Sequence, residues 1–321
     1  MADTPVKPVK PPRILSNGMT RLENVRRLQH YTQGPLERDL SFCDYTWDIP
    51  FGEDSSRQCV DIYTPKGQQG PFPTIIYVHG GGWFAGDRKD KGLGNALFFI
   101  EHGFAVAAIG YRLMDEAVYP AQQEDLAAGL AKVTELAEQF HLNMDRLGIV
   151  GGSAGTPLGM ALALSDPRFK AVCMTSSILD FASITRQLQA LNLPRSAHFG
   201  YPEQDWSVDA LLLGNAVQAV PKRANALCAR LHVHPDMPHC LLFHGTRDNV
   251  TPFLQDVEFA EAAAACTGDN GRVTVELAPG EGHNIKGDFM PQRKQMRIDF
   301  MKKHLFATQA EVFEQENDDY L

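Results

Sequence analysis

Leu147-Gly148-Ile149-Val150 runs directly into Gly151-Gly152-Ser153-Ala154-Gly155, and an apolar stretch from Leu158 to Leu164 follows. This order predicts a buried strand, a sharp turn flanked by glycines and a helix, with a serine hydroxyl lifted at the turn. Side chains at Gly151 or Gly155 would strike neighbouring backbone in so tight a bend. A G-x-S-x-G pentapeptide recurs by chance in a glycine-rich chain, so the flanking strand and helix carry the reading.

On either side of this stretch, strand and helix patterns alternate, as in a mostly parallel sheet covered by helices on both faces. Thr74 to Val78 and Phe104 to Ile109 are continuous apolar runs suited to strands buried on both sides. Cys59 to Tyr63, Ala171 to Met174, Cys240 to Phe243 and Val273 to Leu277 extend the series. Leu126, Leu130, Val133, Ala137 and Phe140 give the 121–141 segment one apolar face. A second helix is expected from Phe253 to Cys266, with Gly268 as its stop.

Two regions interrupt the alternation. Residues 1–58 carry few strand signals and are expected to cross the sheet as part of a cap. Residues 181–238 are too long for an ordinary connection and are expected to form a lid insertion in the 59–321 domain. Residues 311–321 read as a solvated acidic tail.

His79-Gly80-Gly81-Gly82-Trp83 follows the buried strand ending at Val78 and supplies flexible peptides at the sheet's carboxyl edge. The amides of Gly81 and Gly82, with that of Ala154, can converge on a developing oxyanion. His79 is expected to hold this loop rather than act as a base. Asp248 lies in a turn after the strand at Cys240 to Phe243, and His283 follows Pro279-Gly280-Glu281-Gly282 after the next strand. The chain order Ser153, Asp248, His283 thus brings a nucleophile, an orienting acid and a base to one edge. An imidazole titrates near neutrality and is suited to take the serine proton, while a carboxylate fixes its tautomer. The implied chemistry is acyl transfer to water, and it calls for no metal and no cofactor. His244 reads as a packed strand residue, and Asp256, Glu258 and Glu281 as solvated. His232, His234 and His239 cluster loosely but match no zinc spacing.

The motifs Tyr111-Arg112-Leu113, Tyr119-Pro120-Ala121 with Glu124-Asp125, Asp145-Arg146-Leu147-Gly148, His244-Gly245-Thr246 with Asp248, and Gly280-Glu281-Gly282-His283 join those above. Together they resemble the hormone-sensitive-lipase-type carboxylesterases, and more closely their acetyl-xylan and feruloyl-esterase-like relatives, over roughly Val60 to His304. The resemblance implies an α/β-hydrolase fold, with Ser153, Asp248 and His283 catalytic, Gly81, Gly82 and Ala154 in the oxyanion hole, and Arg112 and Asp125 bracing the sheet. Gly152, Thr156 and Met114-Asp115-Glu116 depart from the usual pattern and bear on pocket shape. The expected activity is hydrolysis of short acyl or aryl esters, such as acetylated sugars or hydroxycinnamates, through an acyl-enzyme. Arylformamidase-like amide hydrolysis and a noncatalytic small-molecule receptor are the alternatives. Trp83, Tyr201 and Trp206 are candidate substrate contacts.

The formal charge of −9 gives no basic surface for nucleic acid. Met1 to Pro12 lacks the apolar stretch of an export signal or membrane span, so a cytoplasmic protein is expected. Six scattered cysteines without a C-x-x-C pair read as reduced thiols. Oligomeric state is open, with a homodimer allowed.

Overall fold

A computed structural model describes residues 13–29, 34–283, 285 and 290–306. The acidic tail, Met1 to Pro12 and Tyr31 lie outside the described residues.

A short helix, α1 (Arg21–Leu28), precedes the sheet. It opens on a capping box in which Thr20 and Glu23 satisfy each other's backbone donors. The strands are β1 (Cys43–Pro50), β2 (Cys59–Pro65), β3 (Phe72–Val78), β4 (Ala105–Ile109), β5 (Leu142–Gly152), β6 (Phe169–Thr175), β7 (His239–Gly245) and β8 (Val273–Ala278). They form one sheet in the order β1-β2-β4-β3-β5-β6-β7-β8. β2 pairs antiparallel with both β1 and β4, and every pairing from β4 to β8 is parallel. The intervening helices are α2 (Gly94–Leu97), α3 (Ala121–Glu135), α4 (Gly155–Ser165), α5 (Ile184–Ala190), α6 (Val208–Leu213), α7 (Pro221–Ala226), α8 (Leu254–Thr267) and α9 (Pro291–Leu305).

Each central strand sends alternate side chains to two cores, which explains its unbroken apolar sequence. Ile76 and Val78 of β3 join Ala107 and Ile109 of β4 in the core beneath α3 and α4. Ile75, Tyr77, Val106 and Ala108 enter the other, beneath α2 and α9.

The chain order reverses at β3. From there it passes outward to β4, then returns through α3 to β5 on the other side. The crevice at the carboxyl ends of β3 and β5 is therefore the topological switch point, where α/β sheets bind ligands. Val78 pairs with Gly151 across this boundary, so the loops after both strands leave the sheet side by side.

The expectation for residues 1–58 needs one correction. Residues 43–50 are not cap but edge strand, and only Cys43 among them is buried. An edge strand open to solvent shows no apolar alternation, so the sequence pattern concealed it. Residues 13–29 contact the 181–238 segment: Arg13 and Ser16 bond Asp205, and Arg21 donates to Leu211 O.

Candidate active site

Ser153 follows the last residue of β5 with φ +50°, a left-handed conformation that costs a non-glycine residue about 1–2 kcal/mol. The turn is held by the Ser153 N–H, which donates to Thr175 O at 3.0 Å. It is held again by Thr156, whose hydroxyl donates to Ser153 O at 2.7 Å and accepts from Ile178 N. Thr156 thus ties the elbow to the strand-end loop after β6. At Gly155 a Cβ would stand 2.4 Å from Val78 O, so only glycine lets α4 begin this close to β3.

The His79–Trp83 loop packs on the other side of the elbow. Gly81 has φ +105°, and a Cβ there would meet Ala85 O at 2.3 Å. His79 is 1% exposed, donates from Nδ1 to Gly80 O at 2.8 Å and stacks on Tyr111. Burial pushes its pKa down to about 4, so it is a neutral brace for the loop. Among the described residues, the N–H groups of Gly81, Gly82 and Ala154 donate to no protein acceptor.

His283 arrives from the loop after β8. Its Nε2 lies 2.7 Å from Ser153 Oγ, and its Nδ1 lies 2.8 Å from Asp248 Oδ2. Its own carbonyl accepts from Ser176 Oγ at 2.6 Å, which fixes the loop against β6. Asp248 is fully buried and collects donors: the N–H groups of Val250 and Thr251 on Oδ1, and Thr251 Oγ1 on Oδ2 at 3.2 Å. Burial alone would raise its pKa. His283 and His244 outweigh that and hold it far below the usual carboxylate range. With the ring neutral, Nδ1–H donates to the Asp248 carboxylate, which leaves Nε2 to accept from the Ser153 hydroxyl.

A cavity of about 250 Å³ opens at Ser153 and His283, lined in part by Tyr77, Lys91, Asn95, Thr175 and Arg297. The three aromatic candidates are not brought to it. Trp83 is 1% exposed and donates from Nε1 to Ala154 O at 2.8 Å, so it bolts the glycine loop to the elbow from below. The hydroxyl of Tyr201 accepts from Arg195 N, and Trp206 sits beneath the Arg27 guanidinium. Arg112 and Asp125 form a doubly bonded pair, with Nη2 to Oδ1 at 2.7 Å and Nε to Oδ2 at 2.9 Å.

His232 donates to Asn225 O, His234 donates to Leu164 O, and His239 stacks on His304 at 4.1 Å, so the three rings have separate uses. The six cysteines carry free thiols, four of them buried. Among the described residues, no helix is long and apolar enough to cross a membrane.

Asp256 departs from expectation. It is fully buried, with Oδ2 at 2.9 Å from His244 Nδ1. Thr251 and Ser176 also reach the site without a sequence signal of their own.

This sheet, with a strand-turn-helix at its switch point and these three side chains in contact, has the architecture of the α/β-hydrolases. Residues 60–263 match the BD-FAE family, and the chain belongs to that hormone-sensitive-lipase-like family. It is similar to a probable carboxylic ester hydrolase, LipM, of Mycobacterium tuberculosis, with 25% identity over 72% of this chain and 54% of that protein. An acetyl esterase of Salmonella paratyphi B is 31% identical over 36% of this chain and 34% of its own length. The chain thus spans about half or less of the length of these two relatives. In fold it is similar to a truncated carbohydrate esterase from gut microbiota, with TM-score 0.71 and 23% identity over 84% of this chain and 99% of that one. It is also similar to esterase B of Lactobacillus rhamnosis, with TM-score 0.66 and 18% identity over 93% and 94% of the respective chains.

Proposed function

We propose that the protein is a serine carboxylesterase that hydrolyses short acyl or aryl esters through an acyl-enzyme. The carrying observation is the continuous bond path from Ser153 Oγ through His283 to Asp248, at 2.7 and 2.8 Å. Ser153 Oγ attacks the ester carbonyl while Nε2 takes its proton, and Asp248 stabilises the resulting imidazolium. The carbonyl oxygen becomes an oxyanion facing the free amides of Gly81, Gly82 and Ala154, at the amino end of α4, whose dipole favours negative charge. Collapse expels the alcohol, which takes the proton from Nε2. Water then enters by the same route and releases the acid, restoring Ser153.

A space of about 250 Å³ is below the range of roughly 300–1,000 Å³ typical of drug-sized ligands, which favours a small acyl group. Labelling with a fluorophosphonate, followed by peptide mapping, tests the nucleophile: the adduct is expected on Ser153, and its absence there refutes the reading. Rates on p-nitrophenyl esters from acetate to octanoate are expected to fall with chain length. Faster turnover of a matched anilide than of the ester would reassign the protein as an amidase.

Thr251 gives a finer test. Thr251→Val removes a hydroxyl donor to the buried carboxylate, a bond to a charged group worth about 1.5–3 kcal/mol. A fall in kcat of at least about tenfold on p-nitrophenyl acetate is expected, with KM little changed. An equal change in KM would mean that Thr251 shapes binding instead.

A further inference from the structure

His244, in β7, is fully buried, and both ring nitrogens meet acceptors. Nδ1 faces Asp256 Oδ2 at 2.9 Å. Nε2 faces Thr251 O at 2.9 Å and Asp248 Oδ2 at 3.3 Å. A backbone carbonyl has no proton to give, so Nε2 must carry one. An ionised Asp256 can only accept at Nδ1, which calls for the second. The ring therefore lies between two fully buried carboxylates, one of them the partner of His283.

We propose that His244 is a positioning residue, a permanent imidazolium that bridges Asp256 to the catalytic carboxylate Asp248 and thereby weakens the basicity of His283. This rests on the esterase reading only for the role given to His283.

The surroundings agree with a charged ring. Burial would lower its pKa, but Asp256, and then Asp248, hold it up at about 10. The titratable groups facing it are Asp256 from α8, Asp248 from the loop after β7 and, beyond Asp248, His283 from the loop after β8. In β8, Leu277 stands in register with it, and Arg297 of α9 covers the neighbouring Phe243 ring, 4.5 Å away. Without His244, the field of Asp248 would act undiminished on Nδ1 of His283 and favour its protonated form. With His244 in place, part of that field is neutralised, and His283 is released as a base at lower pH. Asp256 keeps His244 charged, and it lies farther along the path from His283 than the cation does, so the pair acts on His283 as a net positive.

Two measurements test this. In the unaltered protein labelled with 15N-histidine, one ring, assigned by its loss in His244→Gln or by its contact to Thr251, is expected to keep both nitrogens protonated from pH 5 to 9. A deprotonated nitrogen on that ring near pH 7 would overturn the proposal. In His244→Gln, the acid limb of the fluorophosphonate labelling rate is expected to move up by about one to two pH units, the size expected for loss of a charge that its contact to Asp248 holds within about 6 Å of His283, at an effective dielectric near 20. A folded variant whose rate drops with the limb unmoved would show a merely structural residue. If the variant does not fold, the nitrogen spectrum of the unaltered protein decides alone. If the unaltered protein takes no label at Ser153, the esterase reading fails, while the nitrogen signals still report whether His244 is charged.

Discussion

Ser153→Ala is expected to lower kcat on p-nitrophenyl acetate by roughly 10⁴- to 10⁶-fold and to abolish fluorophosphonate labelling. The size follows from what remains. The amides at the oxyanion position and the cavity survive the change, so binding and part of the charge stabilisation persist, while the covalent route is lost. On the proposed mechanism Ser153 and His283 act as one unit, so Ser153→Ala/His283→Ala should be no slower than either single variant. Asp248→Asn should lose about 10⁴-fold, since an amide can no longer select the Nδ1–H tautomer or stabilise the imidazolium. The fold should survive Ser153→Ala, because among the described residues the hydroxyl bonds His283 alone. A variant that keeps more than about one part in a hundred of the rate would show that another group makes the acyl bond.

How far these residues could be read from the sequence depends on their surroundings in the sheet. Ser153, Asp248 and His283 each follow an apolar run, and in a parallel sheet the ends of such runs share one edge. That edge places the glycines of the 79–83 loop as well. β1 escaped notice because Tyr45 and Trp47 are exposed on an edge, where neither face is buried enough to leave a period. Asp256 was misread because α8 is alanine-rich, with little contrast between its faces, so nothing marks an acid that points inward. Trp83 was misplaced for a conformational reason. Its φ of +60° turns the indole beneath the elbow, and sequence spacing carries no sign of φ. The 181–238 insertion could be recognised only by length. Its helices α5, α6 and α7 span six or seven residues each, too short to show a face.

Asp209→Ala is expected to destabilise the protein by about 3–5 kcal/mol, because it leaves a buried guanidinium unpaired. Arg195 and Asp209 each expose 1% of their side chains, and Nη1 lies 2.5 Å from Oδ2. For a chain of this size that corresponds to a fall in Tm of roughly 4–7 °C, and the urea midpoint should drop with the slope unchanged. Replacing the whole pair, Arg195→Met/Asp209→Leu, should recover part of the loss, since two apolar side chains of similar volume need no partner, while Gly200 O and Val250 O each lose the Arg195 donor. Catalysis should not recover with it. Arg195 Nε donates to Val250 O, and Ser196 N donates to Asn249 O, so the insertion grips the turn whose Val250 N–H holds Asp248 Oδ1. Methionine cannot make the first of these bonds. The double variant should therefore regain part of its urea midpoint yet keep the reduced kcat on p-nitrophenyl acetate. Recovery of both together would mean that the ion pair serves the fold alone and that the insertion does not position the catalytic acid.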